Sequence, residues 1–387
     1  MTTEQQLIAL LRRAMGTEPA ETGSIAWERL LSLTQFHRVG PLAYFGAKGL
    51  PEVPPAAAQT LTAAYYQEVF RQSQQEHAVR AIGDVLCEAR VPHVLLRGAL
   101  LKSDYPEPAM RSMSDLDYLV RVEDYPAIQT AVERLGARHI HTDGGHFSFQ
   151  FPPQVMVEFH PALIYTASPV GTAINPGWQY VRPESGPHVL ELTEEGFYLN
   201  LLCHLAYHFA KGGTGVRSVL DVWVYRHRHP LQPDRGFVER ELERAGLLPF
   251  ARNIEALSEI WFGNAVMKPE LEELGKYILS SGAYGFTRRA VLNAASFATG
   301  KRGLSALKSR AFYPRRELEN RFPWVKGRLW LLPAAWALRA WTAVTKHGTH
   351  IVRWSRAARS ISREELRAQR TFLKRFGLIH PEKERMT

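Results

Sequence analysis

The sequence has few cysteines and no long hydrophobic run. Only Cys87 and Cys203 occur among 387 residues, with neither metal-site spacing nor the density of a disulfide framework. We therefore expect no structural disulfides, which fits a reducing compartment. The most apolar stretch, residues 329–338, is far shorter than the roughly 20 residues that span a bilayer. The N-terminus has no basic lead or apolar run, so the sequence predicts a cytoplasmic chain without a signal peptide or a transmembrane helix.

Acidic residues are scarce near the C-terminus. Residues 301–387 contain 21 Lys and Arg against 6 Asp and Glu, whereas the whole chain carries a net charge of +10. The basic excess therefore belongs to this region, where Trp330, Trp336, Trp341 and Trp354 are interleaved with arginines. Such a surface is typical of contact with RNA or with an anionic membrane surface. The alternative is a helical domain that buries its tryptophans and exposes its arginines.

Hydrophobic periodicity divides the chain into four regions and predicts an α+β fold. A small mixed sheet in residues 91–168 would form a catalytic domain, flanked by an N-terminal helical region over residues 1–90 and a helical domain over 188–299. A loop rich in Pro, Gly and Ser precedes the latter, and a basic helical region follows over 300–387. The predicted strands cover 94–96, 116–120, 138–140, 147–151 and 155–160, and the predicted helices cover 3–15, 26–36, 56–90, 124–135, 192–210, 216–228, 234–245, 249–261 and 269–280.

Two acidic side chains alternate with apolar residues in the predicted strand at 116–120. Asp115 and Asp117 would project from one face of this strand, while Leu116, Tyr118 and Val120 would project from the other. Neighbouring carboxylates raise each other's pKa unless a cation compensates, and pairs of oxygen donors suit Mg²⁺. This pattern favours phosphoryl or nucleotidyl transfer.

A third acid lies on another alternating strand, where Glu158 and His160 would share a face. Each of these residues also has a simpler interpretation. The acidic pair Asp115 and Asp117 could be a solvated strand face or a turn, and Glu158 could protect a sheet edge. His160 could be a structural histidine. The combination of features, rather than any one motif, supports a metal site.

These motifs resemble those of the nucleotidyltransferase superfamily with the DNA polymerase β type of catalytic fold. More narrowly, the chain is similar to a bacterial nucleotidyltransferase family that has an Arg-Gly turn, a Tyr-Pro and an Arg before Asp-x-Asp, and a later Glu-x-His. The resemblance extends over about residues 20 to 360 and includes a downstream helical pattern. The residues that carry it are Arg97, Gly98, Tyr105, Pro106, Arg111, Asp115, Asp117, Glu158, His160, His204, His208, Arg217 and Asp221.

The resemblance implies transfer of a nucleoside monophosphate from an NTP to an acceptor hydroxyl. Asp115, Asp117 and Glu158 would hold two Mg²⁺ ions, with Mn²⁺ as a substitute. The NTP phosphates would lie near four residues, which are Arg97, Gly98, Lys102 and Arg111. Arg111 could instead pair with Asp115, and surface exposure is the alternative for Arg97. Better-characterised superfamily members have Gly-Ser where this chain has Gly98-Ala99, which weakens the expected phosphate contact.

The downstream residues are predicted to line a pocket between the helical and catalytic domains. His204 and His208 lie four residues apart and share one helical face, as do Arg217 and Asp221, which are expected to pair. Hydrogen bonding within the core or between domains is the alternative. A small molecule or a protein hydroxyl is the first choice of acceptor, and RNA is the second. The rival hypothesis is a noncatalytic nucleotide-sensing or nucleic-acid-binding protein that retains the fold.

Overall fold

A seven-stranded mixed sheet with helices on both faces forms the centre of the protein, in an α+β fold. The computed structural model describes residues 1–17, 24–143, 146–229, 234–283, 285–297, 325 and 327–379. The strands are β1 (His93–Leu95), β2 (Asp115–Leu119), β3 (Arg138–Asp143), β4 (His146–Phe151), β5 (Val155–His160), β6 (Val181–Pro183) and β7 (Val189–Leu192).

Fourteen helices are named here in chain order within those described ranges. Those before and within the first part of the sheet are α1 (Thr3–Ala14), α2 (Trp27–His37), α3 (Gly40–Ala47), α4 (Pro55–Glu88), α5 (Gly98–Leu101) and α6 (Tyr125–Glu133). Those that follow the sheet are α7 (Glu194–Lys211), α8 (Val216–Arg228), α9 (Arg235–Ala245), α10 (Leu248–Phe262), α11 (Pro269–Leu279), α12 (Thr287–Phe297), α13 (Leu332–Ser360) and α14 (Arg363–Arg375).

The strand order is β3-β4-β5-β2-β1-β7-β6, so the two acidic strands β2 and β5 are central neighbours. They run parallel, and Asp117 lies directly opposite Glu158. β1 pairs antiparallel with β2 and parallel with β7. Because directly paired residues project from the same face of a sheet, this register brings two carboxylates together.

The two faces of the sheet pack against different helices. Leu116, Tyr118 and Phe159 belong to a hydrophobic cluster with residues of α4 and α6. Leu119, from the other face of β2, belongs to a larger cluster that includes residues of α1, α3 and α7 to α11. Val120 belongs to the first cluster as well, so the prediction that Leu116, Tyr118 and Val120 share the face opposite Asp115 and Asp117 is confirmed. The two acidic residues lie on the same face as Leu119, which packs against the second group of helices.

Helices α7 to α11, which follow the sheet, form where the sequence carries clear start and stop signals. The Thr193 side chain accepts a hydrogen bond from the Gly196 amide at the start of α7. Gly212, with a φ of +144°, ends this helix, in a conformation that disfavours other residues. Each end of helices α8 to α11 lies within one residue of its predicted position.

Several elements differ from the sequence prediction. Neither α3 nor α12 was expected, and β6 and β7 lie within or just after the predicted loop, so the sheet continues beyond residue 168. β6 and β7 have only three and four residues, too few to display a periodicity. β7 joins the sheet by pairing with β1, nearly a hundred residues earlier in the chain, and such pairing leaves no local pattern.

The C-terminal helices pack onto the main core in part. Phe372 and Leu373 of α14, and Phe376 just after it, belong to the same cluster as residues of α7 and α10. Trp354 is buried, as the interpretation of a helical domain expects, whereas Trp330 is exposed. Contact with RNA or an anionic surface stays a prediction. The Trp341 side chain lies outside the described residues. Cys87 and Cys203 are free thiols, and within the described ranges no helix is long and apolar enough to cross a bilayer.

Candidate active site

Three potential metal ligands converge where β2 and β5 lie side by side. Asp117, Glu158 and His160 each offer one ligand atom, and these atoms all lie within 4.8 Å of one another. His160 Nε2 lies 3.0 Å from Asp117 Oδ1 and 3.4 Å from Glu158 Oε2. Since β5 alternates, Glu158 and His160 share a face, and the parallel register adds Asp117. The expected convergence of β2 and β5 is therefore present.

Arg97 binds the other oxygen of Asp117. Its Nη2 donates to Asp117 Oδ2 at 2.7 Å, while Nη1 donates to Asn200 Oδ1 at 3.1 Å. Arg97 is only 7 % exposed and has a φ of +32°, an unusual conformation for a residue with a side chain. The turn between β1 and α5 therefore directs this guanidinium into the interior, and the alternative of a surface arginine is excluded.

Arg97 and His160 set the ionisation of the acidic cluster, which consists of Asp117 and Glu158. Burial would raise the pKa of Asp117, but Arg97 and His160 outweigh it and hold that pKa well below its usual range. The hydrogen bond from His160 likewise lowers the pKa of Glu158. Burial disfavours the imidazolium of His160, yet its bonds to Asp117 and Glu158 raise its pKa to about 9. At neutral pH both carboxylates are ionised and His160 is protonated.

Asp115 lies at the edge of the cluster rather than among the three converging ligands. Burial, followed by the charges of Asp117 and Glu158, raises the pKa of Asp115 to about 6. Its Oδ1 accepts a hydrogen bond of 3.0 Å from the Ser114 hydroxyl. A carboxyl group whose ionisation is opposed by two like charges is one that a bound cation would stabilise.

His204 and His208 lie on α7 with their Nε2 atoms 3.1 Å apart. Burial lowers the pKa of both rings, to about 3 for His208, and the charge of Arg97 adds to this effect. Both imidazoles are therefore neutral, and one Nε2–H donates to the other ring. The charge of Asp117 acts on both rings as well, which places this pair on the helical side of the acidic cluster.

Comparison with known proteins assigns the chain to a family. Residues 23–263, more than half of the chain, match a family described as uncharacterised nucleotidyltransferase. The chain belongs to this nucleotidyltransferase family. No curated protein and no solved structure matches it. The matched region of this nucleotidyltransferase contains the entire sheet and helices α7 and α8, whereas α12, α13 and α14 lie beyond it.

Two residues expected to bind phosphate in this nucleotidyltransferase are engaged elsewhere. Lys102 Nζ lies 3.0 Å from the buried Glu68 on α4, away from the converging ligands. Arg111 forms two hydrogen bonds with Asp221, from Nε at 2.8 Å and from Nη2 at 2.9 Å. Arg111 thus pairs with Asp221 instead of Asp115, because a forked guanidinium matches both oxygens of one carboxylate.

The predicted pairing of Arg217 with Asp221 along α8 is wrong. Asp221 accepts hydrogen bonds from Arg111 and, at 2.6 Å, from the Tyr105 hydroxyl. Arg217 instead donates to the backbone carbonyl of Ser112, just ahead of β2. A buried carboxylate gains more from several directed donors than from one neighbour on the same helix. Arg217 and Asp221 therefore both connect α8 to the segment that precedes β2.

Gly98 is required by packing as well as by its position in the turn. A Cβ atom on Gly98 would lie 2.5 Å from Met113 Sδ and 3.1 Å from Arg111 Nη1. The Gly98 carbonyl also accepts a hydrogen bond from Arg111 Nη1 at 3.2 Å. The turn after β1 is therefore held against the segment that precedes β2.

We expect Gly98→Ala to lower the free energy of unfolding by about 1–3 kcal/mol, because the added methyl group overpacks the Met113 contact. Chemical denaturation measures this loss. Gly83→Ala is the matched control, since a Cβ there meets nothing within 4 Å in the interior of α4, and it should be neutral or stabilising. Adding Met113→Ala to Gly98→Ala should give a smaller total loss than the sum of the single losses. Strict additivity would exclude the contact as the cause.

Sequence reasoning missed two polar side chains of the site. Asn200 holds Arg97, and Ser148, directly opposite Glu158 on β4, places its hydroxyl 3.4 Å from Glu158 Oε1. Asn200 lies four residues before His204, so the spacing that links the two histidines of α7 already marks it. Ser148 had no comparable signal, because its partner is set by strand pairing.

Proposed function

We propose that this nucleotidyltransferase transfers a nucleoside monophosphate from an NTP to an acceptor hydroxyl of a small molecule or a protein. The observation that carries the proposal is the placement of Asp117 opposite Glu158 on adjacent parallel strands, in a chain of a nucleotidyltransferase family. Two ionised carboxylates that lie together in a half-buried site suit a divalent cation that also contacts phosphate.

The carboxylates of Asp115, Asp117 and Glu158 would hold Mg²⁺ in a two-ion site, with Mn²⁺ as a substitute. The donor set fits, because oxygen atoms predominate and because the charges of Asp117 and Glu158 oppose ionisation of Asp115. When bound, the ions would neutralise phosphate charge and lower the pKa of the acceptor hydroxyl. Arg97 would keep Asp117 ionised and directed toward them.

We assign contact with the triphosphate to Arg217. Among the described residues no carboxylate forms a salt bridge with it, and its guanidinium already reaches the segment before β2. By contrast, Arg97 and Arg111 are bound to Asp117 and Asp221. We assign these two arginines to holding the turn and the acidic strand in position, and Arg217 to binding the phosphates.

In the proposed reaction the acceptor oxygen forms a bond to the α-phosphorus as the bond to the leaving pyrophosphate breaks. The hydroxyl proton passes to solvent. His204 and His208, on the helical side of the acidic cluster, would contact the acceptor as neutral hydrogen-bonding groups. Their neutrality suits an uncharged hydroxyl compound better than a second phosphate.

The second candidate is a noncatalytic nucleotide sensor. It is favoured by Gly98-Ala99 in place of Gly-Ser and by the engagement of Lys102, Arg97 and Arg111 in internal ion pairs. Such a protein would bind NTP without releasing pyrophosphate. The ionised Asp117 and Glu158, half-buried beside each other, support the catalytic function instead.

We would test the function with NTPs carrying the label either on the α-phosphate or on the γ-phosphate. Each NTP is incubated with the purified protein, Mg²⁺ or Mn²⁺, and a cleared lysate that supplies acceptors. Transfer of the α-label alone is expected, with pyrophosphate released in equal amount. Transfer of the γ-label would show phosphoryl transfer and contradict the proposal.

The size and nuclease sensitivity of the labelled product identify the acceptor. A product that migrates with small molecules or protein supports the proposed acceptor class, whereas nuclease-sensitive label shows transfer to RNA. Metal-dependent NTP binding without product or pyrophosphate would establish the sensor instead.

A further inference from the structure

We propose that His160 is a direct nitrogen ligand of the metal site and that the site therefore binds Mn²⁺ in preference to Mg²⁺. This inference rests on the proposed metal dependence but goes further, because it assigns one ligand and the kind of ion. The observation that supports this inference is the short distance of His160 Nε2 from the carboxylate oxygens of Asp117 and Glu158.

The spacing of the three ligand atoms suits one six-coordinate ion. Neighbouring ligands of an octahedral ion with bonds of about 2.1 Å lie about 3.0 Å apart. His160 Nε2 is 3.0 Å from Asp117 Oδ1 and 3.4 Å from Glu158 Oε2. Only small shifts would therefore place a cation within bonding distance of all three atoms, and the cation would displace the proton that His160 Nε2 holds between the two carboxylates.

The backbone and neighbouring side chains hold these ligands in place. Glu158 and His160 are two residues apart on β5, and Asp117 faces Glu158 across a parallel pair. Arg97 binds the Asp117 oxygen that faces away from His160. The pairing of central strands thus presents two oxygens and one nitrogen from a rigid part of the fold. In the part of the chain that the structure describes, this is the one group of three or more such ligands.

Ligand chemistry then favours a transition metal over Mg²⁺. Mg²⁺ is bound by oxygen and gives up its waters reluctantly, whereas imidazole is a ligand of first-row transition ions. Mn²⁺ accepts carboxylate oxygens in the same octahedral geometry and binds N/O sites as a member of the transition series. Of the two ions proposed for this site, one imidazole ligand therefore favours Mn²⁺ over Mg²⁺.

The competing role for His160 is that of an internal counterion that only orients the two carboxylates. The two roles differ in an observable way, because a coordinated imidazole transfers unpaired electron spin from Mn²⁺ to its nitrogen. Pulsed electron paramagnetic resonance of the protein with one equivalent of Mn²⁺ detects this ¹⁴N coupling without any turnover.

We expect ¹⁴N coupling in the wild type and in His204→Gln, the matched control from the neighbouring histidine pair, but not in His160→Gln. Calorimetric titration should show Mn²⁺ affinity reduced at least about tenfold in His160→Gln, with Mg²⁺ affinity changed much less. His160→Asp, which restores an oxygen ligand, should bind metal without ¹⁴N coupling and should shift the preference toward Mg²⁺. Circular dichroism confirms that each variant is folded.

Absence of ¹⁴N coupling in the wild type, or its persistence in His160→Gln, would overturn the inference. Loss of coupling in His204→Gln alone would assign the nitrogen to α7 and would also overturn it. These outcomes are independent of the labelling assay. Coupled Mn²⁺ without nucleotidyl transfer would reject the proposed function alone, whereas transfer without ¹⁴N coupling would reject only the role of His160.

Discussion

An Asp117→Asn variant is expected to lose nucleotidyl transfer by at least about a thousandfold while remaining folded. Asp117 is the carboxylate on which Arg97 and His160 converge, so its charge is central to the proposed metal site. The amide keeps the shape of the side chain and one oxygen that accepts from Arg97. The rate of α-label transfer at saturating NTP and metal measures the loss.

The matched control for this variant is Glu123→Gln. Glu123 is an acid shortly after β2 whose side chain is 70 % exposed, and its neutralisation should leave transfer within about twofold of the wild type. An Asp117→Asn protein that retains the wild-type rate, with an unchanged circular dichroism spectrum, would remove Asp117 from the mechanism. A large loss in both variants would point to the overall charge of the region instead.

An Arg111→Met variant is expected to show the largest loss of stability, about 3–5 kcal/mol of unfolding free energy. Arg111 and Asp221 are both buried and joined by two hydrogen bonds, with the Tyr105 hydroxyl on the same carboxylate. Removing the guanidinium leaves the charge of Asp221 uncompensated in the interior. It also removes the donor to the Gly98 carbonyl. Urea denaturation followed by fluorescence measures the change.

Two further variants test the cause of that loss. Arg111→Met combined with Asp221→Leu should recover part of the stability, because no unpaired charge stays buried. Glu272→Gln, which breaks the exposed ion pair between Lys276 and Glu272, should leave the free energy of unfolding nearly unchanged. If Arg111→Met cost as little stability as this surface substitution, the buried pair would not anchor α8 to the segment that precedes β2.

Much of the fold could be predicted where the pattern is local. The alternation from Asp115 to Val120 assigned β2 and both of its faces, and the periodicity after residue 216 assigned α8 to α11 almost to the residue. The family assignment, which rested on motifs in the Arg97, Asp117 and Glu158 segments, is also confirmed at the level of a nucleotidyltransferase family. Each of these features follows from residues close together in the chain.

The elements and contacts that were missed depend on distant residues. β7 is a strand because β1 offers it a partner, and three or four residues show no decisive alternation. Ion pairs between residues that are distant in the chain likewise leave no local pattern. Asp221 lies 110 residues from Arg111, so the nearest sequence neighbour, Arg217, was the natural but incorrect choice. The sequence prediction also placed Lys102 at the phosphates. Its ion pair with Glu68 could not be foreseen, because Glu68 lies on α4, far from Lys102 in the chain.

The sequence by itself determined which acidic residues are candidates for a metal site, because side-chain alternation in a strand is a property of the local backbone. It placed Asp115 and Asp117 on one face and Glu158 with His160 on another strand. Only the tertiary structure decided that these strands are adjacent and parallel, that Arg97 binds Asp117, and that Arg111 belongs to Asp221. The physical reason is that a buried polar or charged group must find a partner among all the groups that folding brings near it. Most of these groups come from distant parts of the chain, so no single segment of sequence shows which partner is taken.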